Sequence, residues 1–133
     1  MCYGEIMVLG IGIDIIEIAR VERALERRGR LLERLFTSQE IAYCMDRGRP
    51  GASLAARFAA KEAVRKACSS VFPGEVVPWL HIEISMDNGR PMVNLLGNTA
   101  LKADRNGIRE VLVSLSHSRE YACASALVLG DKV

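Results

Sequence analysis

The sequence predicts an α+β fold, with helices packed on an antiparallel sheet. Three observations carry that expectation. Apolar, β-branched or alternating runs stand near both ends, at Ile6 to Ile13 and Tyr121 to Leu129. Asn88-Gly89 sits between two alternating runs, and that dipeptide tolerates the positive φ of a tight hairpin. Between these strand signals lies Ser53 to Cys68, SLAARFAAKEAVRKAC, rich in the best helix former. The order is strand, helices, hairpin, helix, hairpin, which segregates helices from strands as α+β domains do.

Composition sets the bounds. The 133 residues suggest one domain over 1–133, half apolar and about a quarter charged, as in an ordinary globular protein. So small a chain makes oligomerisation a reasonable expectation. A net charge of +2 is too small to argue for nucleic acid, and no aromatic-interleaved basic patch or zinc-finger spacing is present. Cys2, Cys44, Cys68 and Cys123 lie far apart without a CxxC, which reads as reduced, mostly core thiols of a cytoplasmic protein. The start MCYGEIMV lacks the basic region of a signal peptide, and Ile6 to Ile13 is too short to cross a membrane.

Taken in order, Ile6 to Ile13 reads as a buried strand, with Gly10 and Gly12 allowing close backbone approach. GIGID supplies only two of the three glycines of a dinucleotide-binding turn, and the rest of that βαβ unit is missing. Asp14 ends the run either as a helix N-cap or as a metal carboxylate. Ile15 to Arg28 is helical, with Ile18, Val21 and Leu25 on one face, until Gly29 breaks it. Arg20, Arg23, Arg27, Arg28, Arg30 and Arg34 outnumber Glu22, Glu26 and Glu33, giving either a solvated face or a docking surface for an acidic partner. Thr37 and Glu40 fit a capping box that starts a helix running to about Asp46. Gly48 to Gly51 is a loop.

Ser53 is the expected N-cap of the central helix. Along it Glu62 and Lys66 stand four apart, with Arg57, Lys61 and Arg65 nearby. That pattern is either an exposed i,i+4 ion pair or a site for a phosphorylated ligand, with Glu62 on a metal and lysines on phosphate oxygens. Ser69 to Pro78 is a loop punctuated by Pro73, Gly74 and Pro78. His81 to Met86 and Pro91 to Leu96 form the hairpin around Asn88-Gly89. Asn98 or Thr99 caps a short helix ending at Gly107, and Val111 to Ser116 leads through His117 and a turn to the last strand. His81 reads as a surface or satisfied core residue, whereas His117, at a strand end beside a turn, is placed where ligand groups often sit.

Three blocks in this order resemble the holo-acyl-carrier-protein synthases, the small trimeric class of 4'-phosphopantetheinyl transferases. They are Gly10-Ile11-Gly12-Ile13-Asp14 with Arg20, Arg57-Phe58-Ala59-Ala60-Lys61-Glu62-Ala63 with Lys66, and Ser114-Leu115-Ser116-His117. Leu35-Phe36-Thr37, Glu40 and Asn88-Gly89-Arg90-Pro91 also match, so the resemblance spans nearly the whole chain. Members usually begin a few residues before the first block, which makes Met1 to Ile6 an extension or Met7 the start. Members often carry glycines after the lysine-alanine pair, where this chain has Cys68-Ser69-Ser70-Val71-Phe72.

The resemblance implies a 4'-phosphopantetheinyl transferase-like fold and a homotrimer with active sites between subunits. It implies transfer of phosphopantetheine from coenzyme A to a serine of apo acyl carrier protein, leaving adenosine 3',5'-bisphosphate. By the same resemblance Asp14 and Glu62 hold Mg²⁺, and Lys66 stabilises or protonates the leaving phosphate. Arg57, Lys61, Lys66, Pro91, Ser116 and His117 meet coenzyme A. Glu62 or a metal-bound water is the base, and Arg20, Arg23 and Arg27 meet the acidic carrier protein. Two rivals remain: a trimeric binding domain without turnover, which has no need of the Asp14 and Glu62 pair, and an interaction module whose charges are all solvated.

Overall fold

The computed structural model describes residues 5–131. It is an α+β fold in which a central helix packs on a three-stranded antiparallel sheet. The elements in order are β1 (Ile6–Glu17), α1 (Ile18–Arg27), α2 (Leu31–Leu35), α3 (Ser38–Met45), α4 (Pro50–Cys68), a 3-10 turn (Trp79–His81), β2 (Ile82–Asp87), β3 (Arg90–Leu95), α5 (Gly97–Arg105), β4 (Ile108–His117) and β5 (Tyr121–Asp131). The strand order is β1-β5-β4, so β1 and β4 are the edges. β2 and β3 form a separate two-stranded sheet rather than extending the first, as a single sheet would require. No helix among the described residues is long and apolar enough to cross a membrane.

β1 and α4 make the core contact. One face of β1 carries Gly10 and Gly12, and α4 presents Ala63 and Ala67 to them. A Cβ on Gly10 would lie 1.8 Å from the Ala67 carbonyl oxygen, and one on Gly12 would lie 2.0 Å from that of Ala63. Only glycine lets the two backbones approach this closely. Ala59, Ala60, Ala63, Val64 and Ala67 are fully buried there, together with Ala124, Ala126 and Val128 of β5. The opposite face of β1 is bare: Ile11, Ile13 and Ile15 are 72%, 69% and 68% exposed.

Several boundaries differ from the sequence expectation. β1 continues to Glu17, so Asp14 is a mid-strand residue opposite Ala124 and not a helix N-cap. The chain stays extended there because β5 offers ladder partners as far as Tyr121. α4 begins at Pro50, with Arg49 as N-cap, so Ser53 lies inside it. Proline needs no N–H partner at a first helical position and carries the right φ, which overrides the serine signal. α5 begins at Gly97 without a side-chain cap, so neither Asn98 nor Thr99 acts as one. Ile6 pairs with Asp131 at the start of β1. Residues 1–4, Cys2 among them, lie outside the described residues.

The helix expected from Ile15 starts at Ile18, and the strand expected to be buried is open on one face, whereas several local signals read correctly. Thr37 Oγ1 accepts from Glu40 N at 3.3 Å while Glu40 Oε1 accepts from Thr37 N at 2.9 Å, closing the capping box. Asn88 and Gly89 take φ of 51° and 78°, as a two-residue hairpin turn demands. Cys44 and Cys68 are buried free thiols, and burial pushes the Cys68 thiol up to about 11. The unusual sequence after Lys66 forms a tied turn. Ser70 Oγ donates to the Leu9 carbonyl at 2.7 Å, fastening the end of α4 to β1 beside its bulge.

Gly12→Ala should lower stability by about 1–3 kcal/mol, the usual penalty of forcing a methyl into a packed core. Chemical denaturation should show a lower midpoint with an unchanged slope. A wild-type midpoint would mean that β1 and α4 are further apart than described.

Candidate active site

The approach of β1 to α4 decides where Asp14 falls. Gly10 meets Ala67 and Gly12 meets Ala63, so two strand residues match one helical turn. Asp14, next on the same face, is therefore level with the turn that precedes Ala63. Lys66 reaches back to it, as helical side chains lean toward the N-terminus. Lys66 Nζ donates to Asp14 Oδ1 at 3.1 Å and to the Ile13 carbonyl at 3.0 Å. The lysine is still half exposed, while the Asp14 side chain is 20% exposed.

Glu62 lies one turn before Lys66. The i,i+4 ion pair with Lys66, one of its two sequence readings, is not formed; Lys66 is engaged by Asp14. Instead Glu62 Oε1 accepts from the indole Nε1 of Trp79 and faces Arg65 Nη1 at 3.6 Å. Among the described residues, Asp14 Oδ2 and Glu62 Oε2 receive no hydrogen bond. No three His, Cys, Asp or Glu side chains cluster as a metal site among the described residues, so an ion here would rest on these two carboxylates. Hard oxygen donors, few in number and with open positions, suit Mg²⁺, which keeps several waters and takes further oxygens from a phosphorylated substrate.

A second group gathers elsewhere. Arg57, Ser116 and His117 line one cleft of about 230 Å³, with Tyr43, Arg47, Ser53, Ala56, Met86 and Leu115. The Tyr43 ring lies between two guanidinium groups, 4.0 Å from Arg47 and 4.2 Å from Arg57. Arg57 is almost fully buried, and its Nε has no acceptor within the described residues. A buried charged donor without a partner is costly, and an anionic oxygen is the acceptor that would satisfy it. His117 is exposed, with Nδ1 3.3 Å from the Ser118 carbonyl. Pro91 is not part of this cleft. It lines a separate one of about 440 Å³ with Arg90, Arg109 and Leu112.

Lys61 is the clear correction. It was expected at a phosphate, yet its side chain is fully buried and 2.7 Å from Glu40 Oε1. It also donates to the carbonyls of Trp79 at 2.9 Å and Ile82 at 2.7 Å. Burial holds its ammonium below the usual lysine range, against the pull of Glu40. All its donors face protein, so it serves as an internal strut. His81 is a satisfied residue, its Nδ1 2.9 Å from Thr99 Oγ1.

Sequence reasoning missed Tyr43, Arg47 and Trp79. Tyr43, near the end of α3, and Arg47, just past it, stand ten and more residues before Arg57, and only the packing of α3 on α4 joins them. Trp79 had one weak signal, being the only tryptophan of the chain. On α1, Arg20, Arg23 and Arg27 are all exposed. Arg20 borders an apolar groove of about 240 Å³ lined by Ile16, Val21, Leu25, Leu35 and Phe58.

Comparison with known proteins shows the family. The model of the 4'-phosphopantetheinyl transferase superfamily matches residues 10–126. The holo-[acyl-carrier-protein] synthase of Moorella thermoacetica is 53% identical over 122 residues, covering 91% of this chain and 94% of that protein. That of Chlamydia trachomatis is 46% identical over 121 residues, covering 90% and 98%. Among solved structures, the Helicobacter pylori holo-[acyl-carrier-protein] synthase in complex with coenzyme A aligns with a TM-score of 0.72 at 33% identity, over 89% of this chain and 98% of that one. The Neisseria meningitidis enzyme aligns with a TM-score of 0.81 at 29% identity, over 92% and 98%. With the superfamily model spanning most of its length and close relatives aligned nearly end to end, the chain belongs to the 4'-phosphopantetheinyl transferase superfamily, among its holo-acyl-carrier-protein synthases.

Proposed function

We propose that this chain is a Mg²⁺-dependent holo-acyl-carrier-protein synthase that works as a homotrimer in the cytoplasm. It transfers 4'-phosphopantetheine from coenzyme A to a serine hydroxyl of apo acyl carrier protein. The products are holo carrier protein and adenosine 3',5'-bisphosphate. The observation that carries the reading is the contact of Lys66 with Asp14, one helical turn from Glu62. It supports a reading in which a half-exposed cation serves a site bounded by Asp14 and Glu62, as displacement at a pyrophosphate requires.

Asp14 and Glu62 would hold Mg²⁺, which when bound neutralises pyrophosphate charge as a Lewis acid and template. The chain's own residues supply the rest. Lys66, half exposed and tethered by one carboxylate and one carbonyl, can turn its remaining donor to the departing phosphate. The serine hydroxyl attacks the β-phosphorus and gives up its proton to Glu62 or to water, the bond to the adenosine-side phosphate breaks, and Lys66 offsets the charge that builds on the departing phosphate oxygen. Arg57, with its unsatisfied Nε, and His117 offer donors to the nucleotide phosphates, and Ser116 stands beside them. Pro91 would contact the cofactor from its own cleft.

Two halves of this site face apart within one chain. Arg57 and Lys66 are nine residues apart on α4, about half a turn out of phase at 3.6 residues per turn. Asp14 lies on edge strand β1, whereas Ser116 and His117 lie on the other edge strand, β4. Head-to-tail association would set the β1 edge of one copy beside the β4 edge of the next, and such contacts close into a ring. The surface for it is apolar. Ile11, Leu127 and Leu112 share one rung of the outer sheet face, flanked by Ile13 and Ile15. Exposed apolar patches of this kind mark association surfaces. On α1, the arginines beside the apolar groove would meet an acidic, amphipathic helix of the carrier.

Incubation with apo acyl carrier protein, coenzyme A and Mg²⁺ should add one phosphopantetheine to the carrier, read by intact mass spectrometry and abolished by EDTA. Glu62→Gln and Asp14→Asn should each lower that rate by at least about 100-fold, while far-UV circular dichroism stays unchanged. Near-normal turnover in either would remove it from the metal site. Arg20→Glu should raise the KM for the carrier about tenfold, one like-charge contact of roughly 1.4 kcal/mol, and change kcat less. An unchanged KM would take α1 off the docking surface. Ile13→Glu should convert the trimer to monomer in sedimentation velocity and abolish transfer, whereas a monomeric wild-type chain would overturn the shared site.

A further inference from the structure

Glu62 is gripped by a residue that no reaction step uses. Trp79 donates its indole N–H to Glu62 Oε1. Arg65 Nη1 faces the same oxygen at 3.6 Å. Oε2 receives no hydrogen bond among the described residues. One carboxylate oxygen is thus fixed and the other left open.

Trp79 is itself held from several sides. Its carbonyl accepts from the buried Lys61 Nζ at 2.9 Å and from the Ile82 N–H that closes the 3-10 turn. The Arg65 guanidinium lies 4.3 Å over its ring, and Arg65 Nε also donates to the Val77 carbonyl at 2.9 Å. The Phe58 ring packs against the indole at 5.9 Å with a 47° tilt. The neighbours Lys61 and Glu62 therefore engage the same residue, Lys61 through its backbone and Glu62 through its side chain. The strut that Lys61 forms with Glu40 inside the core continues through Trp79 to the carboxylate.

We infer that Trp79 is a positioning residue that fixes the rotamer of Glu62, anchoring Oε1 so that Oε2 is the oxygen offered to a divalent cation. The inference rests on the metal reading of Asp14 and Glu62. Carboxylates that ligate metals are commonly oriented by such outer hydrogen bonds, whose loss weakens metal affinity about 10–100-fold. A ring that merely filled space would leave metal affinity unchanged when its N–H is removed.

Trp79→Phe makes that removal while keeping an aromatic ring for Phe58 and Arg65 to pack on. The probe is Mn²⁺, with binding to the trimer in the presence of coenzyme A measured by electron paramagnetic resonance. The Mn²⁺ Kd should rise about tenfold, with the KM for coenzyme A at saturating Mn²⁺ and the melting temperature close to wild type. Wild-type Mn²⁺ affinity in Trp79→Phe overturns the inference and leaves the metal reading standing. Absence of Mn²⁺ binding in the wild type overturns both. Should Trp79→Phe fail to fold, the wild-type indole reports for itself, since its fluorescence is the only tryptophan signal of the chain. Mn²⁺ should quench it at the concentration that fills the site, and Glu62→Gln should abolish that quenching. Emission indifferent to Mn²⁺ overturns the inference.

Discussion

The structure depends on one close approach, that of β1 to α4. Gly10 and Gly12 have no side chain to hold the helix off, and Ala63 and Ala67 add almost none from the other side. Backbone separation is therefore set by main-chain atoms, which cannot change rotamer. That rigidity carries through to chemistry. Lys66 meets Asp14 because its stem reaches back along a helix already pressed against the strand. A wider gap would leave the lysine in solvent and the aspartate unpaired. Small residues here work at a distance: they fix the geometry of charged neighbours two and three positions away.

A second constraint runs through the buried ion pair of Lys61 with Glu40. Taking both charges from water is expensive, and removing either alone typically costs about 3–5 kcal/mol because the other is stranded. The fold compensates by filling every direction around them. Glu40 accepts from Thr37 N, Ile84 N and Lys61 Nζ, and Lys61 donates on to two carbonyls of the segment leading into β2. The helix cap, the central helix and the second sheet thus converge on one pair. A hydrophobic pair could fill that volume, but it could not hold the carbonyl of Trp79 in place.

How much the sequence disclosed follows from how local each signal was. The hairpin at Asn88-Gly89 and the Thr37–Glu40 box depend on residues within four positions, and both were legible. Strand ends were not, because β1 runs past Asp14 only where β5 supplies partners. The separate β2–β3 sheet was equally invisible, since which strands share a ladder is a tertiary choice. At the site, residue type and spacing left Asp14 and the Glu62–Lys66 pair open between structural and ligand roles, and only the family resemblance chose between them; Arg57, Ser116 and His117 line one cleft. Lys61 was misread because a lysine next to a glutamate in a helix looks the same whether it faces water or the core. At four residues from Arg57 and five from Lys66, spacing alone could not say which neighbour's face it shared. Only the position of Glu40, on another helix, decides it.

The arrangement also bears on the assembly proposed for so short a chain. A pyrophosphate-bearing nucleotide needs cations along its whole length and carboxylates for a metal, yet like charges crowded into one small core would repel. This chain keeps them apart. Asp14 and Lys66 stand at one edge of a three-stranded sheet, and Arg57 and His117 stand by the other. Each half has some compensation of its own: Asp14 offsets Lys66, and the Tyr43 ring packs against two guanidinium groups, though Arg57 Nε still lacks an acceptor among the described residues. The isoleucines on the outer face of β1 supply the apolar surface that would join a half-site of one copy to the complementary half-site of the next. On that reading the sheet face and the catalytic groups are one design problem. The strand that turns Asp14 toward α4 must, by the two-residue period of a β-strand, turn Ile13 and Ile15 the other way.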